Sequence, residues 1–233
     1  MPKKNVGIIL WCVWHTLDRQ MEEALTQFEK WGVAGLKVDF MDRDDQEVVN
    51  FYERLAKEAA KRHMLVNFHG AYKPTGLERA YPNVINREAV QGLEYNKFSN
   101  KATPEHAVSI PFIRMVAGPM DYTPGALNNV NAEDFRIVSA RPVSQGTRCQ
   151  QLAMYNVVLY APLEMTSDAP TVYEKEPDIL EFSGWCSLFG TNPKLSMERQ
   201  ETTSDGPQKR RYMVGWSHDR LDRTRSQTGT FAF

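Results

Sequence analysis

Lys37, Asp39, His69, Arg87, Glu88 and Glu94 are the residues of this sequence whose types and places suit chemistry. Each falls at or just after a short apolar run. Asp39 closes GLKVDF, His69 follows MLVNF, Arg87 and Glu88 follow Val84–Ile85, and Glu94 comes six residues after Glu88. In α/β barrels the reacting groups sit at the C-terminal ends of the strands, so the polar residue ending each apolar run is the place to look. Two carboxylates on one cavity can divide the work of nucleophile and proton donor. Carboxylates gathered together also suit a hard divalent cation. Taken singly, each residue has a plainer reading. Asp39 is a loop cap or ion-pair partner, His69 a hydrogen-bonded structural histidine, and Glu88 half of a salt bridge with Arg87. Glu94, ahead of Tyr95 and Asn96, is a loop residue, and Trp11 and Trp14 are core. Asp42, Asp44 and Asp45 are a solvated helix start. Taken together they describe a barrel-type enzyme with several carboxylates at one mouth, which suits a glycosidase, a divalent-metal aldolase or a metal-dependent hydrolase.

The elements that must position these groups are legible in the first third of the chain. Val6 to Trp14 is nearly all apolar, as expected of a parallel strand buried on both faces. Met21, Ala24, Leu25, Phe28 and Trp31 then recur at helical spacing, with Asp18 as the expected N-cap and Gly32 as the stop. Gly35 to Phe40 reads as a second strand. The acidic run from Asp42 to Asp45 suits the positive end of a helix carrying Val48, Val49, Tyr52, Leu55, Ala56, Ala59 and Ala60 on one face. Met64 to Phe68 reads as a third strand. Strand–helix–strand–helix–strand with short connections predicts a parallel sheet, and hence an α/β fold of partial (β/α)8-barrel type. Beyond residue 69 the pattern thins. Short strands are expected at Val84–Ile85, Ile110–Met115 and Leu163–Met165, a long loop over 118–146, and helices over Arg148–Tyr160 and Asp178–Phe182. The strand-like run Arg211–Trp216 lies in a polar C-terminal segment.

Composition narrows the function classes. Lys plus Arg is 28 against 29 Asp plus Glu, a net charge of −1, so no basic field is present to bind nucleic acid by counterion release. Cys12, Cys149 and Cys186 are scattered and have neither disulfide-framework nor zinc spacing. No apolar run reaches the length of about 18 residues that a membrane span needs.

Longer strings are more specific. WGVAGLKVDFMDRDDQ, NFHGAYKPTGLERAYPNVINREAVQGLEYNK, AGPMDYTPGAL, GTRCQQLAMYNVVLYAPLEM and SDAPTVYEKEPDILEF occur in that order between residues 31 and 182. Together they resemble the catalytic barrel of glycoside hydrolase family 97. The resemblance implies a bacterial exo-acting α-glycosidase, periplasmic or secreted, either an α-galactosidase or an α-glucosidase, with a calcium ion in its site. Family chains are longer, with a β-sandwich before the barrel and a β-domain after it. Against that layout the expectation is a partial barrel over residues 1–190, open where missing barrel segments would close it. A divergent tail over 191–233 would begin the C-terminal β-domain. The family's inverting branch resembles lysine–threonine–glycine–tyrosine where this chain has Lys37-Val38-Asp39-Phe40, and histidine–glutamate where this chain has His69-Gly70. The match is therefore to the retaining branch. It implies Asp39 as nucleophile, Glu94 as general acid/base, Glu88 as calcium ligand with Glu94 also touching the ion, and Lys37, His69, Trp11 and Arg87 as contacts to an α-glycoside or oligosaccharide. Trp14, Tyr95 and Tyr122 are further candidate sugar platforms. The competing expectation is an inactive fragment of such an enzyme; an aldolase has no motif beyond its carboxylates.

Overall fold

The computed structural model describes residues 7–146, 161, 163–180, 194–200, 211–217 and 228–232. The chain divides into two units. The first comprises residues 1–90, 112–121 and 161–163, the second residues 91–111, 122–160 and 164–233.

The first unit begins with β1 (Ile9–Val13), α1 (Trp14–Arg19), α2 (Met21–Lys30), β2 (Gly35–Asp39) and α3 (Gln46–Ala60). It continues with β3 (Leu65–Phe68), α4 (Leu77–Ala80) and β4 (Val84–Arg87). The strands form one parallel sheet in the order β1-β2-β3-β4, the expected β/α succession. Alternation of side chains gives the sheet two different faces. Leu36, Val38, Val66 and Phe68 pack with Val48, Phe51, Tyr52, Leu55 and Ala59 of α3 in the main core. The register aligns Trp11, Lys37, Asn67 and Asn86 on the other face. A bulge between Val66 and Asn67 keeps Asn86 in that row.

Local chemistry explains the element ends. The Asp45 side chain accepts from the backbone N–H groups of Glu47 at 3.1 Å and Val48 at 3.4 Å, capping α3. Arg43 beside it holds the Asp45 carboxyl below the usual carboxylate range. Gly32, with φ +73°, supplies the left-handed turn that ends α2. Past β4, Met120 pairs in parallel with Arg87, so the chain starts a fifth sheet position there. Arg114 joins the two segments. Its guanidinium donates to the carbonyls of Ala89 (3.1 Å), Gly118 (3.0 Å), Arg87 (2.9 Å), Glu88 (3.2 Å) and Pro119 (3.1 Å).

The second unit contains a 3₁₀ turn at Leu93–Lys97, most of α5 (Pro104–Ile113), and the parallel two-residue strands β5 (Asn129–Val130) and β6 (Ser144–Gln145). It also holds α6 (Pro170–Tyr173) and an antiparallel sheet of β7 (Lys194–Gln200), β8 (Arg211–Ser217) and β9 (Thr228–Ala232).

Several expectations are corrected. β1 stops at Val13, and Trp14 opens a helix. Asp18 lies inside α1 and pairs with Arg54 instead of capping α2, whose N-cap position is Gln20. Phe51, not Val49, completes the buried stripe of α3; Val49 is 36% exposed. Ile110–Met115 is not a strand: residues up to Ile113 belong to α5. Its first four residues, Ile110–Ile113, are a short apolar run, so periodicity could not separate the two readings. Pro104 at its start suits a first helical turn, and the N–H of His106 donates to Thr103 Oγ1 at 3.3 Å. Leu163–Met165 is irregular, and residues 177–180 are helical. The helix expected at Arg148–Tyr160, as well as Cys149, Cys186 and residues 181–182, lies outside the described residues. Among the described residues no helix is long and apolar enough to cross a membrane.

Candidate active site

The sheet builds a polar row at its C-terminal edge by a repeated hydrogen bond. The N–H of His69 donates to Val38 O at 2.8 Å, that of Glu88 to Phe68 O at 2.9 Å, and that of Asp121 to Arg87 O at 3.1 Å. Each strand thus hands the residue after its last pairing to the same end of the sheet, where Asp39 terminates β2.

Asp39 is held by two donors. Trp11 Nε1 donates to Oδ2 at 2.9 Å, and the backbone N–H of Phe40 donates to Oδ1 at 2.7 Å. Phe40 adopts φ +59°, a conformation that costs a bulky residue about 1–3 kcal/mol and so marks a built turn. Trp11 and Phe40 stand edge to face, ring centres 5.8 Å apart, and are 52% and 56% exposed. A carboxylate flanked by two open aromatic faces is suited to an apolar-faced, hydroxyl-bearing ligand.

His69 is buried between two carboxylates. Its Nε2 lies 2.5 Å from Asp121 Oδ2 and its Nδ1 lies 3.5 Å from Glu88 Oε2. Asp121 is completely buried, and its Oδ2 also accepts from Asn67 Nδ2 at 2.7 Å. Glu88 Oε2 accepts from the backbone N–H of Gly70 at 2.7 Å. Carboxylate oxygen is the donor a hard cation takes. Glu88 therefore fits a calcium ligand on the chemistry of this donor set.

Gly70 has φ +55°. A Cβ there would meet Asp42 Oδ1 at 2.9 Å, Met41 N at 3.2 Å and Phe40 Cα at 3.3 Å. The loop that positions Asp39 thus occupies the space a side chain at residue 70 would need.

The other expected residues are placed as follows. Lys37 stands two residues before Asp39, half-buried, with no ion pair among the described residues. Arg87 is 1% exposed. Its guanidinium lies 4.4 Å from the Tyr52 ring centre, 4.7 Å from Tyr72 and 5.6 Å from Phe68, so it packs among those rings instead of facing solvent. Trp14 and Tyr122, at 9% and 1% exposed, are core residues and not sugar platforms. Burial pushes the Tyr122 hydroxyl well above its usual pKa. Glu94 belongs to the second unit, on the 3₁₀ turn at Leu93–Lys97. Its backbone N–H donates to Thr123 Oγ1 at 3.2 Å, and its carboxylate lies 3.9 Å from Lys97 Nζ. The N–H of Leu93 donates to Tyr122 O at 3.1 Å, which anchors the same turn.

Asp121 and Asn67 were missed by the strand-end reading, Asp121 because its sheet position is a single bridge at Met120. The available signal was Met120-Asp121, an apolar–acidic step like Val38-Asp39, inside one of the strings that carry the resemblance.

A parallel β/α sheet that brings carboxylates and an imidazole to the C-terminal strand ends defines an α/β chain of (β/α)8-barrel type, in part. Comparison with known proteins agrees. Residues 2–90 match the model of Glycoside hydrolase 97. The chain is 48% identical over 181 residues to a retaining alpha-galactosidase of Bacteroides thetaiotaomicron, covering 77% of this chain and 27% of that protein. It is 39% identical over 128 residues to a probable retaining alpha-galactosidase of Streptomyces bingchenggensis, covering 54% of this chain and 20% of that one. A solved glycoside hydrolase family 97 enzyme from Pseudoalteromonas sp. strain K8, in complex with acarbose, superposes with a TM-score of 0.69 at 28% identity, over 94% of this chain and 35% of that one. This chain belongs to glycoside hydrolase family 97 and spans about a quarter of the length of the curated relatives it matches.

Proposed function

We propose that this chain carries the site of a retaining α-glycosidase acting on terminal α-galactosides. The observation that carries the reading is Asp39: a strand-end carboxylate, aimed by Trp11 and Phe40 N–H, beside a glycine that has no room for an inverting enzyme's base. The two relatives described above are named a retaining and a probable retaining alpha-galactosidase, and the galactoside preference rests on those names. α-Glucosides are the second substrate class.

In the proposed first step the Asp39 carboxylate attacks the anomeric carbon as the bond to the leaving oxygen breaks and Glu94 gives that oxygen its proton. In the second, Glu94 takes a proton from water, and the water oxygen displaces Asp39 from the sugar. Two inversions give net retention, a geometry that needs the two carboxyl groups about 5–5.5 Å apart. Lys37, His69 and Trp11 are read as contacts to the sugar. His69 and Trp11 are supported by their places beside Glu88 and Asp39, and Lys37 by its sheet face. Arg87 is read as a support beneath the strand end, on the strength of its aromatic packing. Glu88, with Glu94, would hold calcium, whose positive charge binds and orients sugar hydroxyls. A periplasmic or secreted location goes with the same reading.

Asp39→Gly tests it on an aryl α-galactoside. Turnover is expected to fall to background, and azide to restore it by forming the β-galactosyl azide. Wild-type rates in Asp39→Gly would overturn the nucleophile assignment. A native chain that hydrolyses no aryl α-glycoside would return the non-catalytic alternative.

A further inference from the structure

The buried pair Asp121–His69 is the polar feature that the proposed two-carboxylate chemistry leaves without a task. Asp121 is 0% exposed, His69 2% and Asn67 1%. Burying a carboxylate is costly unless hydrogen bonds compensate it. Asp121 spends its Oδ2 on two donors from one strand, Asn67 Nδ2 and His69 Nε2.

We propose that Asp121 is a positioning residue: it accepts the Nε2 hydrogen of His69 and fixes the imidazole so that Nδ1 faces Glu88. As a carboxylate, Asp121 can only accept, from Asn67 Nδ2 at 2.7 Å and from His69 Nε2. The hydrogen between Asp121 and His69 therefore belongs to Nε2, and the tautomer is set from the buried side. The same bond stops rotation of the ring, which holds Nδ1 at 3.5 Å from Glu88 Oε2. Asn67 keeps Asp121 from turning toward a different partner. A carboxylate behind an imidazole commonly orients histidines that work through their other nitrogen, and losing it costs about 10- to 100-fold in function. The inference rests on the proposed reading only in taking His69 as a sugar contact; the tautomer itself does not depend on activity.

Two measurements separate the inference from that reading. In ¹⁵N-histidine-labelled chain, with His69 assigned by His69→Gln, the ring is expected to carry a slowly exchanging hydrogen on Nε2. In Asp121→Asn, whose side chain can turn its amide to donate, that signal should weaken or move to Nδ1. A neutral wild-type ring with its hydrogen on Nδ1, or an unchanged spectrum in Asp121→Asn, overturns the proposal. In kinetics on an aryl α-galactoside, Asp121→Asn is expected to lower kcat/KM by about 10- to 100-fold with a raised KM. A loss of folded protein would lower kcat alone. The double variant His69→Gln/Asp121→Asn should be no worse than His69→Gln, because both changes remove one function; additive losses overturn the proposal. An inactive chain with the expected spectrum would remove the glycosidase reading and leave the positioning role standing.

Discussion

Asp39 has one donor on each oxygen, and the two donors differ in kind. The Phe40 N–H comes with the turn itself, whereas the Trp11 indole N–H reaches across from the neighbouring strand. A hydrogen bond to a charged group contributes about 1.5–3 kcal/mol. Trp11→Phe keeps an aromatic ring against Phe40 and removes that donor. We expect kcat/KM on an aryl α-galactoside to fall about 10- to 100-fold with little change in Tm, which steady-state kinetics and calorimetry would check together. The strand-end places of Asp39, His69 and Glu88 were legible in the sequence because each follows an apolar run long enough to recognise. Asp121 was not, because its sheet position is a single bridge between Gly118-Pro119 and a turn-rich loop. Nor could the sequence show that Arg87 turns to the aromatic side of the sheet, since side-chain direction at β4 depends on the bulge at Val66–Asn67.

At the scale of elements, β1 through β3 and their helices were legible because they repeat two clean periods, the parallel-strand run and the amphipathic helix. α5 was not, since its last turn, Ile110–Ile113, is a short apolar run that carries neither period. The turn after β2 is where element geometry bears on mechanism. Phe40 at φ +59° and Asp42 at φ +38° fold it back on Gly70, whose carbonyl accepts from the Asp42 N–H at 2.7 Å. Gly70→Glu would place the side chain type of the inverting branch at this point. The left-handed backbone alone costs a non-glycine residue about 1–2 kcal/mol, and the new Cβ would push on three atoms of the turn. The variant is expected to lose Tm by calorimetry and to lose turnover without releasing a β-sugar. Unchanged Tm together with β-galactose as first product would show that the loop does not exclude a base here.

At the scale of the molecule, family membership was legible from five ordered strings, and the matched relatives extend well beyond this chain. The sequence could not supply the division into two units, because residues 112–121 belong to the first although residues 91–111 just before them belong to the second. The central claim is that Asp39 serves as nucleophile and not as a base toward water, and the stereochemistry of the first product decides between them. ¹H NMR of an aryl α-galactoside digest, read before mutarotation, is predicted to show α-galactose appearing first and the β-anomer growing in only later. β-Galactose as the first product would contradict the account.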